Sequence, residues 1–104
     1  MKVKVKVFAM FRELLNTGIL TVDLESGSTI RDLIVWISEN INRKFKDEVL
    51  DDQGRLKKYV KVLVNGRNIE FLQGLDTKLK DGDTVSFFPP VAGGLLGALE
   101  CPIV

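Results

Sequence analysis

The sequence predicts an α+β domain, a mostly antiparallel sheet with one long amphipathic helix packed across it. Three observations carry this. Residues 2–8 alternate Lys-Val-Lys-Val-Lys-Val-Phe, the period of a half-buried strand. Ile30, Leu33, Ile34, Ile37 and Ile41 fall on one stripe at helical spacing. Near the end, Val85-Ser86-Phe87-Phe88 reads as a strand that stops at Pro89-Pro90, because proline has no N–H to donate to a ladder.

The remaining elements follow in order. In the first strand Val3, Val5 and Val7 take the core face, and Lys2, Lys4 and Lys6 a solvated one. Phe11, Leu14 and Leu15 make a short helical turn that Asn16-Thr17-Gly18 breaks. Residues 19–24 form a second strand, with Leu20, Val22 and Leu24 on its apolar face, antiparallel to the first. After a turn at residues 25–28, Thr29 caps the long helix, with Asp32 three residues later in a capping-box position. Trp36 flanks the apolar stripe and is read as core or rim packing rather than an interface anchor. Residues 43–58 are mixed in charge and read as a solvated loop or irregular helix. Asp47, Glu48, Asp51 and Asp52 lie among lysines and match no calcium loop. A third strand runs from Tyr59 to Val64, turns at Asn65-Gly66 and returns briefly through Arg67-Asn68-Ile69. The turn Asp81-Gly82-Asp83 leads into the last strand, Thr84 to Phe88, which is expected to lie inside the sheet beside the first strand.

With 104 residues there is room for one core. A net charge of +1 gives no electrostatic footprint for nucleic acid or for an anionic membrane surface. No apolar run approaches the roughly 20 residues of a membrane span, and the lysine-valine start is not a signal peptide. The chain has no His, the commonest general base and metal ligand, and its one Cys, Cys101, can form neither an internal disulfide nor a structural zinc site. A lone thiol suits a reducing cytoplasm.

Val62-Leu63-Val64-Asn65-Gly66-Arg67, Leu79-Lys80-Asp81-Gly82-Asp83-Thr84-Val85 and Phe88-Pro89-Pro90-Val91-Ala92-Gly93-Gly94 together resemble the ubiquitin-like sulfur carriers of the MoaD/ThiS family. The opening strand through Phe8 and the Gly27-Ser28-Thr29 turn also fit, so the resemblance covers residues 1–94. The Phe-Pro-Pro-Val-Ala-Gly-Gly run is more similar to MoaD, the small subunit of molybdopterin synthase, than to ThiS. The resemblance implies a ubiquitin-like β-grasp, a mixed sheet with one main helix. It also implies a carrier that is not itself an enzyme and binds no cofactor. An E1-like enzyme uses ATP to adenylate the carboxylate of Gly94, which becomes a thiocarboxylate. In the molybdopterin case, sulfur then passes to a pterin precursor held by the large synthase subunit.

The residues suit that role. Gly93 and Gly94 can thread a narrow channel and Ala92 keeps the segment thin. Pro89 and Pro90 stiffen the exit, and Val91 continues it. Phe88, on the opposite face from Phe87, is the candidate apolar anchor for a partner. The sequence departs from the simplest family members by continuing through residues 95–104, an apolar extension from Leu95 to Val104. With that extension attached, the Gly94 carbonyl is an amide and cannot be adenylated. Two readings stand. A processing protease exposes Gly94, after which the chain serves as a sulfur carrier or as a ubiquitin-like modifier joined to lysines. Otherwise the domain is a non-activated β-grasp interaction module. Chemistry at Cys101 itself is disfavoured, since no basic neighbour in sequence would generate a thiolate. An uncleaved extension is expected to pack on its own domain or on another copy.

Overall fold

The computed structural model describes residues 1–89. Strand β1 (Lys2–Val7) leads into the short helix α1 (Met10–Leu15) and strand β2 (Ile19–Asp23). Helix α2 (Ile30–Asn40) and the short helix α3 (Lys44–Val49) follow. Strand β3 (Lys61–Val64) turns into β4 (Arg67–Asn68), and two 3₁₀ turns, Ile69–Phe71 and Gly74–Asp76, precede β5 (Thr84–Phe88). The five strands form one sheet in the order β2-β1-β5-β3-β4. β5 is internal, parallel to β1 on one side and antiparallel to β3 on the other.

Alternation sorts the sheet faces as expected. Val3, Val5 and Val7 are fully buried, while Lys2, Lys4 and Lys6 are exposed. The inner face adds Val22, Val62, Val64, Val85 and Phe87, and α2 lays Ile30, Leu33, Ile34 and Ile37 across it in one continuous core. The capping box forms. The Asp32 N–H donates to Thr29 Oγ1 at 3.3 Å, and the Thr29 N–H donates to Asp32 Oδ2 at 2.9 Å. Two orphan donors at the helix start are thereby satisfied. Trp36 is half-buried against the core, as its rim position implies. At the β3–β4 hairpin Asn65 and Gly66 both take positive φ, 52° and 84°, the pairing a tight hairpin turn requires.

Three expectations are corrected. Ile41 does not join the buried stripe: α2 ends at Asn40, and Ile41 is 46% exposed. The chain is redirected there by two side chains. The Asn42 amide donates to the Leu14 carbonyl at 3.0 Å, and the Ser38 hydroxyl donates to the Arg43 carbonyl at 2.9 Å. Residues 43–58 are likewise not merely solvated, because α3 inserts Phe45 and Val49, one helical turn apart, into the core. Finally, Tyr59 stands 65% exposed outside the third strand, which begins at Lys61.

Ala9, at the start of α1, adopts φ 52° and ψ −126°, a region that glycine occupies freely and alanine does not. Phe11 is buried in the core, and the chain must reverse sharply after β1 to place it there. Ala9→Gly is therefore expected to stabilise the domain by about 1 kcal/mol, strain relief outweighing the extra entropy of the unfolded chain. A urea unfolding curve measures this, and a lowered midpoint would refute it.

Candidate functional site

The site is organised by β5. Phe87 anchors this strand from below, its ring 5.2 Å edge-on from Phe45, which itself meets Phe11 at 5.5 Å. The beginning of the strand is clamped by the Asp81-Gly82-Asp83 turn and the Asn65 side chain. The Lys2 N–H donates to Asp81 Oδ1 at 2.7 Å, and the Lys80 N–H to Asp83 Oδ2 at 2.8 Å. The Asn65 amide donates to Asp83 Oδ1 and accepts from the Thr84 N–H, both at 2.9 Å. The Asn-Gly and Asp-Gly-Asp motifs thus hold two turns and the start of β5 together.

At its far end, Phe88 emerges on the outer face. The parallel register pairs Val7 with Phe87, so Phe8 and Phe88 follow side by side. Their rings stack at 4.5 Å with planes 3° apart, leaving Phe88 half-buried and Phe8 39% exposed. The sequence-predicted single anchor is thus one half of a two-ring platform. Phe8 was missed because its partner is set by strand register rather than by local pattern. Both rings stand at the ends of strands expected to be neighbours, and that was the available signal. Pro89 is buried. The proposed contact residues Pro90, Val91 and Ala92, the pair Gly93 and Gly94, and the expected packing of residues 95–104 lie outside the described residues.

The surround of the platform is mixed. Lys61 pairs in register with Phe88, and its Nζ lies 3.5 Å from Glu70 Oε2. Exposed Tyr59 lies two residues before Lys61, with Lys58 Nζ 5.4 Å from its ring centroid, and Phe71, 83% exposed, follows Glu70. On β1 the lysine face is solvated. Lys2 lies 3.6 Å from Asp23, and Lys4 and Lys6 make no ion pair among the described residues. A hydrogen bond from the N-terminal ammonium, reinforced by the Lys2 charge, holds the Asp23 carboxyl below its ordinary range. Among the described residues no group of three His, Cys, Asp or Glu side chains could hold a metal. No helix there is long and apolar enough to cross a membrane. What the described residues provide is an internal strand, held at its start by two turns, that ends at an aromatic platform.

Comparisons with known proteins agree with this geometry. Residues 5–94 match the model of the ThiS family. Small archaeal modifier protein 3 of Haloferax volcanii is 35% identical over 94 residues, covering 90% of this chain and 100% of that protein. A molybdopterin synthase sulfur carrier subunit of Chlamydomonas reinhardtii is 30% identical over 95 residues, with the same coverages of 90% and 100%. Among solved structures, the crystal structure of SAMP1 from Haloferax volcanii superposes with a TM-score of 0.78 at 26% identity, covering 90% of this chain and 100% of that one. With its mixed five-stranded sheet and helix packed across it, the chain is a ubiquitin-like β-grasp protein belonging to the ThiS family of small sulfur carriers and modifiers.

Proposed function

We propose that this protein is a sulfur carrier of molybdopterin biosynthesis whose working end is the Gly94 carboxylate. The observation that carries the reading is where the family match stops: it ends on Gly94 and leaves residues 95–104 outside it. A processing protease removes residues 95–104. An E1-like enzyme then joins the freed carboxylate to AMP, releasing pyrophosphate from ATP. A sulfur nucleophile displaces AMP and leaves a thiocarboxylate, which passes its sulfur to a pterin precursor on the large synthase subunit. The carrier binds no cofactor of its own and works in the cytoplasm. Phe88, stacked on Phe8, supplies the apolar contact to these partners, and the segment Pro89–Ala92 leads the two glycines into their active sites. The name of the Chlamydomonas relative supports the molybdopterin pathway as the sulfur acceptor.

A second reading, conjugation of Gly94 to lysines of target proteins, is favoured by the name of the Haloferax relative. Intact mass of the protein isolated from its native cells separates the two. A species ending at Gly94, accompanied by one heavier by a single oxygen-to-sulfur exchange, is the expected result. Adducts of this chain on other proteins would favour the modifier. Only the full-length chain would leave the domain a non-activated interaction module and sink both readings.

A further inference from the structure

A second surface lies at the other end of β5 from the platform. Val64 and Leu72 form the floor of an open groove whose rim carries Arg67, Lys78 and Lys80. None of these three cations makes an ion pair among the described residues. The one carboxylate in the groove, Asp83, already accepts hydrogen bonds from the Asn65 amide and the Lys80 N–H. The groove is therefore net positive, with apolar surface between its charges. Four residue steps separate Thr84 from Phe88, about 13 Å of strand at roughly 3.3 Å each. A partner seated in the groove thus leaves the exit of the chain uncovered.

We propose that this groove is a docking site for an extended acidic segment of a partner protein, one that alternates carboxylate and apolar side chains. Charge complementarity sets the sign of the partner. The shape sets its class. Arg67 on β4 and Lys78 and Lys80 on the stretch before the Asp81 turn are exposed around an apolar floor, rather than converging as buried donors on one point. An extended peptide can place acidic side chains on the rim and an apolar one on half-buried Leu72, whereas a compact anion would leave that floor unused. Such a site gives an adenylating or sulfur-accepting enzyme a second grip on the domain, remote from the reacting end.

The test uses the full chain and a fluorescein-labelled peptide of alternating Glu and Leu, read by fluorescence anisotropy. Saturable binding is expected that weakens as salt is added. The double variant Arg67→Glu/Lys78→Glu should bind at least about tenfold more weakly, a loss of 1.4 kcal/mol. The double variant Lys4→Glu/Lys6→Glu, which makes the same change in net charge on the outer sheet face, should bind unchanged. Circular dichroism checks that both variants fold. Equal losses in the two variants would reduce the effect to net charge and overturn the site. Competition by inorganic phosphate at concentrations that leave ionic strength constant would make it a small-anion site instead. Self-association of the full chain that the Arg67→Glu/Lys78→Glu variant abolishes would put a second copy in the groove, again against the proposal. None of these readouts involves Gly94, so the outcome is independent of the carrier reading.

Discussion

Phe45→Ala is expected to lower the free energy of unfolding by about 3–5 kcal/mol, the range for truncating a buried phenylalanine. Phe45 is fully buried and bridges two rings, Phe11 at 5.5 Å and Phe87 at 5.2 Å, so its loss opens a cavity and breaks both edge-to-face contacts. Against a typical domain stability of about 5–15 kcal/mol, that is a large fraction. The consequence reaches the aromatic platform, because Phe87 holds β5 in the core immediately before Phe88 emerges. Denaturant unfolding with fluorescence of the single Trp36 measures the effect. A change below about 1 kcal/mol would mean that residues 43–58 are the solvated segment their composition suggests, and that α3 does not support the core.

Ending the chain at Gly94 is expected to change it from a molecule that cannot be adenylated into one that can. The physical basis is bond type: in the 104-residue chain the Gly94 carbonyl belongs to a peptide bond with Leu95, and an amide offers no carboxylate oxygen to attack the α-phosphate of ATP. ATP–pyrophosphate exchange with the E1-like enzyme encoded by the same cells is the measurement. The 1–94 chain should support exchange and the full chain should remain at background. Every strand and helix among the described residues lies within the part of the chain that truncation keeps. Exchange with the uncut chain, or none with the 1–94 chain, would refute activation at Gly94.

Much of this molecule was legible in the sequence, because the relevant signals are local. Alternation along residues 2–7 and 84–88 fixes which side chains face inward once a strand forms, since successive residues point to opposite faces. The Thr29–Asp32 capping box and the Asn65-Gly66 turn are contained in four and two residues, so their geometry follows from their own chemistry. The ordered motifs from Val62 to Gly94 pointed to the family, and the family match over residues 5–94 contains them. Tertiary structure decided the rest. α3 is six residues long and buries only two of them among charged neighbours, too few for periodicity to reveal. Whether Ile41 or Phe45 enters the core depends on hydrogen bonds from Asn42 and Ser38 to backbone that the helix pattern does not contain. The stacking of Phe8 on Phe88 depends on the register between two strands about 80 residues apart, which only packing of the whole sheet can set. The sequence by itself determined the strands, the long helix and the family, because their signals are local. Contacts between distant segments decided that α3 enters the core and that Phe8 stands beside Phe88.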